Sequence, residues 1–137
     1  MIGLVLVSHG ALAQTTLETA AEIVGRIEPA VALAISRHES LGDIESRLRA
    51  AVARVERGSG VLILADMFGG TAANVALELL GELRVEVVTG FNLPMLLKVS
   101  TLLASATDLG ALAELIKHYG QRNVLVASEV LKERGAT

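Results

Sequence analysis

Ser8, His9 and Gly10 stand directly behind one apolar run, and Asp66 stands directly behind another. An imidazole held at the end of a strand can act as a general base, a metal ligand or a nucleophile. A carboxylate that accepts a hydrogen bond from one ring nitrogen fixes the tautomer and leaves the other nitrogen free to attack. It also stabilises a ring that becomes cationic or phosphorylated. Behind Asp66 come Met67 and Phe68, then Gly69-Gly70-Thr71 at the opening of a helical pattern. Backbone N–H groups at a helix start attract anions, and a phosphoryl group fits there. Each of these residues also has a plainer reading. His9 can be a hydrogen-bonded structural histidine, Asp66 an N-cap of the next helix, Gly-Gly-Thr a turn, and Met67 with Phe68 part of the core.

The elements that must position these residues are legible as alternating patterns. Residues 2–7, 31–36, 60–66 and 85–90 are short β-prone apolar runs, as expected for strands covered on both faces. Residues 15–28 carry Leu17, Ala20, Ala21, Val24 and Ile27 on one helical side, with Thr15 and Glu18 spaced as a capping box. Residues 43–57 carry Ile44, Leu48, Val52 and Val55 at helical spacing, with Asp43 as the expected cap and Gly58 as the stop. Further helices are expected over 69–83, from Pro94 onward, and over 108–118 with Asp108 as cap; residues 123–131 read as a last strand, and Lys132 to Thr137 as a frayed tail. The order β-α-β-α-β-α-β-α-α-β implies an open, twisted, mostly parallel sheet with helices on both faces.

In such a sheet, ligands bind beyond the carboxyl ends of the strands. The residues that follow the four strands gather there: Ser8-His9-Gly10, Ser36-Arg37-His38-Glu39, Asp66 to Thr71, and Thr89 to Pro94. If the first and third strands are neighbours, Asp66 lies beside His9. His38 with Glu39 can line the same edge. His118, near a helix end beside Lys117 and Tyr119, reads as a surface residue or a partner of the helix dipole. A metal site would need His9, His38 and an acid to converge, yet neither HxxxH nor HExxH spacing occurs. The P-loop and GxGxxG signatures are absent as well.

Bulk properties narrow the class further. The 137 residues suit one domain with a real core, and at 52% hydrophobic but 2% aromatic that core is aliphatic. The net charge is −3 and no Lys/Arg cluster stands out, so nucleic acid and anionic membrane have no electrostatic support as partners. There is no cysteine, which excludes disulfides, thiol catalysis and thiolate metal sites and fits a reducing compartment. The apolar start, Met1 to Val7, lacks a basic flank and is too short for a signal segment or a membrane span. These features suggest a phosphohistidine carrier or a histidine-dependent phosphoryl enzyme, without deciding between them.

Three stretches carry a resemblance over essentially the whole chain: GLVLVSHGALA (3–13), GVLILADMFGGTAANVA (60–76) and VVTGFNLPMLL (87–97). With them the chain resembles the mannose-family IIA domain of the bacterial phosphoenolpyruvate-dependent sugar phosphotransferase system. The resemblance implies that residues 1–137 form a single cytoplasmic IIA domain. His9 would take a phosphoryl group on Nε2 from the small carrier HPr and pass it to a IIB domain. Asp66 would orient the ring. Ser8, Gly10, Gly69, Gly70 and Thr71 would surround the phosphoryl group. Met67, Phe68, Asn92 and Pro94 would form the docking rim. It also implies a homodimer in which residues 123–131 form an antiparallel strand on the other subunit's sheet. No cofactor, metal or nucleic acid is required, and the membrane components are reached only indirectly. Phe68 stands where some family members have Trp, which bears on partner choice. The chain ends near the IIA boundary with no fused IIB domain. Sugar specificity resides in IIB and the membrane components, so the role can be transport or regulation. Other readings are the phosphocarrier subunit of dihydroxyacetone kinase, against which the Asp-Met-Phe-Gly-Gly-Thr loop and Asn-Leu-Pro-Met stretch argue, and a metal-binding or interaction module.

Overall fold

A computed structural model describes residues 1–135. The strands are β1 (Gly3–His9), β2 (Ala30–Ile35), β3 (Val61–Ala65) and β4 (Val85–Thr89). The helices are α1 (Leu12–Val24), α2 (Leu41–Val55), α3 (Thr71–Leu79), α4 (Leu93–Ser100), α5 (Leu109–Arg122) and α6 (Ala127–Glu133). The four strands form one all-parallel sheet in the order β2-β1-β3-β4. From β1 the chain steps outward to β2 and then returns to the other side of β1 for β3. This reversal opens a crevice above the carboxyl ends of β1 and β3.

Period-two alternation divides the aliphatic residues between two cores. Leu4, Leu6, Leu62 and Leu64 face α1, α4 and α5, where they meet Ala20, Leu96, Val99 and Ile116. Val5, Val7, Ile63 and Ala65 face α2 and α3, where they meet Leu48, Val52, Ala73 and Leu79. β1 and β3 are buried between both layers, which is why their sequences are unbroken apolar runs. Gly3 is required by packing: a Cβ there would run into the backbone carbonyl of Val55 at the end of α2.

Three sequence expectations change. Helix α1 starts at Leu12, before Thr15, and its first turn is satisfied by Ser8, whose Oγ accepts from the Ala13 N–H at 2.7 Å. Glu18 accepts from Gln14 Nε2 instead of closing a capping box. Helix α2 is capped by Ser40, whose side chain accepts from the Asp43 N–H at 3.1 Å, so Asp43 lies in the first turn. The largest change is at the C-terminus. In place of the expected strand over 123–131 stands an exposed stretch without regular structure, Val124–Val126, followed by α6. A strand needs a neighbour for its N–H and C=O groups, and among the described residues this segment pairs with none of the four strands. The sequence ASEVLKE is rich in helix formers, so the lone segment closes its hydrogen bonds locally. Of the tail expected over Lys132 to Thr137, the helix takes in Lys132 and Glu133, while Ala136 and Thr137 lie outside the described residues. Asp108 caps α5 as expected, its Oδ1 accepting from the Ala111 N–H at 3.0 Å.

Candidate functional site

The register of β1 against β3 pairs Val7 with Ala65, so the residues that follow emerge side by side at the crevice. His9 shares the face of Val5 and Val7, the side on which α3 packs. Its Nδ1 lies 2.8 Å from Asp66 Oδ2, and the same oxygen accepts the His9 backbone N–H at 3.0 Å. One carboxylate oxygen therefore fixes both the backbone and the ring of the histidine. The His9 side chain is 49% exposed, whereas that of Asp66 is 10% exposed.

Burial raises the Asp66 pKa, but the hydrogen bonds from the His9 ring and backbone outweigh it and hold the carboxyl below its usual range. An ionised carboxylate can only accept. The Nδ1 of His9 must then carry the proton, and Nε2 in the neutral ring has a free lone pair. The other Asp66 oxygen, Oδ1, is buried with no hydrogen-bond partner among the described residues.

The loop after Asp66 delivers the start of α3 to the ring. A Cβ built on Gly70 would stand 2.9 Å from His9 Cε1 and 3.6 Å from Nε2. Gly70 occupies the N-cap position of α3, with no side-chain capping bond at that helix start. Thr71 is its first helical residue. Gly10 and Gly69 have φ of 54° and 86°, a left-handed conformation that side chains rarely adopt. Met67 and Phe68 project from the loop, 51% and 71% exposed.

His9, Asp66, Gly69, Gly70 and Thr71 thus share one locality. Ser8 does not present its side chain there: it is fully buried and holds the start of α1. Asn92 and Pro94 sit at the start of α4, half-buried. Asn92 Oδ1 accepts from the Met95 N–H at 3.1 Å, and its Nδ2 donates to the Gly120 carbonyl at 3.1 Å. It therefore ties α4 to the end of α5. Gly120, overlooked in the sequence, makes this junction possible, since a Cβ there would stand 2.5 Å from Met95 Sδ. A glycine inside a helical pattern was the available signal. Next to it Lys98 and Arg122 place their charged groups over the Tyr119 ring, 5.4 and 5.7 Å from its centre.

The other polar groups are occupied elsewhere. Glu39 accepts from Arg47 at 2.7 and 2.9 Å, and that guanidinium holds its carboxyl below the usual range. His38 is exposed on the adjacent loop. His118 Nε2 lies 3.3 Å from Glu114 on the surface of α5. Among the described residues no three His, Asp or Glu side chains stand close enough to hold a metal ion. No helix there is long and apolar enough to cross a membrane.

The class defined by fold and site is a parallel α/β sheet with an aspartate-bound, half-exposed histidine at its switch point. Residues 3–117 match the family model described as the PTS system fructose IIA component, and the chain belongs to that family, the mannose-type IIA components of the sugar phosphotransferase system. It is 28% identical over 134 residues to the fructose-specific EIIA component of Bacillus subtilis, covering 97% of this chain and 91% of that one. It is 32% identical over 108 residues to the mannose-specific EIIAB component of Escherichia coli K12, covering 78% of this chain but only 33% of that longer protein. Among solved structures, the mannose/sorbose IIA subunit from Enterococcus faecalis superposes with a TM-score of 0.80 at 30% identity, covering 90% of this chain and 92% of that one. The IIA protein of a fucose utilization operon from Streptococcus pneumoniae gives 0.83 at 29% identity, covering 95% and 96%.

Proposed function

We propose that this chain is a phosphohistidine carrier that receives a phosphoryl group from HPr on His9 Nε2 and passes it to a IIB domain. The observation that carries this reading is the 2.8 Å bond between His9 Nδ1 and an ionised Asp66, with the ring half-exposed against the start of α3. The Nε2 lone pair attacks phosphorus as the bond from phosphorus to the donor's ring nitrogen breaks. No proton need move, because Nδ1 keeps its hydrogen and the charge gained by the ring is balanced by Asp66. Transfer to IIB repeats the exchange with His9 as the leaving group. Gly69, Gly70 and Thr71 flank the phosphoryl position, where the α3 dipole favours negative charge. Exposed Met67 and Phe68 form the apolar centre of the docking face, and Asn92 with Pro94 shapes its rim.

The same reading makes residues 1–137 one cytoplasmic IIA domain that works as a homodimer. Support for a dimer comes from the free outer edge of β4, bordered by a groove of 450 Å³ that Val87, Thr89, Ala113 and Lys117 help to line. It comes also from the apolar segment Val124–Val126, left 57–75% exposed in one chain. An extended segment from a second copy matches such an edge.

The test is intact-protein mass spectrometry after incubation with phosphoenolpyruvate, enzyme I and the cognate HPr. We expect an acid-labile phosphoryl adduct on wild type and none on His9→Ala. An adduct of equal yield on His9→Ala refutes the assignment.

A further inference from the structure

We propose that Gly70 is a positioning residue for His9: by lacking a side chain it lets the loop after β3 press on the ring edge and hold the imidazole in its Asp66-bound orientation. The inference rests on the carrier reading above and names a role for Gly70 distinct from contact with a phosphoryl group.

A single hydrogen bond at Nδ1 leaves a half-exposed ring free to swing to another rotamer and turn Nε2 away. Gly70 supplies the second restraint. The position of its missing Cβ lies 2.9 Å from Cε1, the ring carbon between the two nitrogens, and 3.5 Å from Met67 Cγ. Asp66 therefore holds one side of the ring and the Gly70 backbone closes on the neighbouring atom.

Backbone conformation does not explain this glycine. Gly70 has φ −82° and ψ 166°, ordinary extended values open to any residue. Its neighbour Gly69 is the reverse case, with φ 86° and nothing within 4 Å of its Cβ position. One glycine is needed for the turn, and the other for the room it leaves. Capping does not explain it either. Gly70 is the N-cap of a nine-residue helix, a position where Ser, Asn or Asp would hydrogen-bond the first turn. The chain forgoes that bond at a helix start where a Cβ would stand against His9.

This contrast separates positioning from a merely structural role. If Gly70 only starts α3, Gly70→Ser should be harmless or stabilising, since serine is a better cap. If Gly70 positions the ring, Gly70→Ser and Gly70→Ala both force a Cβ onto Cε1, and His9 must move.

The experiment uses the full chain, with ring-nitrogen NMR spectra of His9, thermal unfolding, and the rate of phosphoryl acceptance from HPr. In wild type we expect one tautomer, protonated at Nδ1, and a proton–proton contact between Gly70 Hα and His9 Hε1. In both variants we expect ring signals averaged between tautomers, acceptance slowed by about 10- to 100-fold, and an unfolding temperature for Gly70→Ser no lower than wild type. A missing Gly70–His9 contact in wild type, or wild-type ring signals and rate in either variant, overturns the proposal. Failure of wild type to accept phosphoryl from HPr would instead sink the carrier reading, while the ring spectra would still judge Gly70.

Discussion

Under the proposed carrier function the His9–Asp66 pair works through one hydrogen bond, and the two residues should fail differently. His9→Ala removes the acceptor atom and should abolish phosphorylation while the fold stays intact by circular dichroism. Asp66→Asn keeps the shape but removes the charge, and in either amide orientation it weakens control of the tautomer. Transfer should slow by about 100-fold without disappearing, which rapid-quench kinetics can measure. Asp66 also links stability to pH. Its carboxyl is held below the usual range, so the folded state binds its proton less readily than the unfolded chain does. That contribution is fully present above the ordinary aspartate value of about 3.9 and fades as pH falls through the lower folded value. The stability gap between wild type and Asp66→Asn should therefore be widest near neutrality and close in acid. Denaturant melts that showed a gap unchanged at low pH would count against an ionised Asp66.

Among the elements, the four strands and the helices between them were legible because each carries its own periodicity. A run such as VLILA has no polar face, so it must be covered on both sides. The placement of His9 beside Asp66 was legible for the same reason, since strand ends fix where the polar residues emerge. What was hidden depended on partners far away in sequence or on competition between nearby groups. Ser8 caps α1 across the turn, out of register with the Thr15 and Glu18 pattern. Ser40 precedes Asp43 and takes the cap that Asp43 could also have filled. The Asn92–Gly120 junction joins residues 28 apart, and no local pattern announces it. That junction makes a prediction about stability. Asn92→Ala should lose the α4 cap and the bond to α5, costing about 1–2 kcal/mol. Gly120→Ala should cost a similar or larger amount, about 1–3 kcal/mol, by overpacking against Met95. Equilibrium urea unfolding of both variants is the check, and values within error of wild type would remove the junction's importance.

For the molecule as a whole, the segment after α5 is what one chain leaves uncovered. Among the described residues the buried hydrophobic side chains end at Ile116, while Val124, Leu125, Val126 and Leu131 are more than half exposed. A surface of this kind is commonly covered in the working assembly. The full chain is expected to sediment as a dimer, and a chain ending at Asn123 as a monomer with an unfolding temperature near wild type. A truncated chain that still dimerises would place the interface elsewhere. On the proposed assembly, α6 would give way to a strand when an edge is offered, exchanging local hydrogen bonds for a ladder.

The placement of Lys98 and Arg122 over the ring of Tyr119 has a practical consequence. With no tryptophan and a single tyrosine in the chain, nearly all near-ultraviolet absorption and intrinsic emission comes from that one ring. It sits beside Gly120, whose carbonyl Asn92 holds. The protein thus carries its own label-free optical reporter at the seam between α4 and α5, at the carboxyl end of the sheet where His9 also stands.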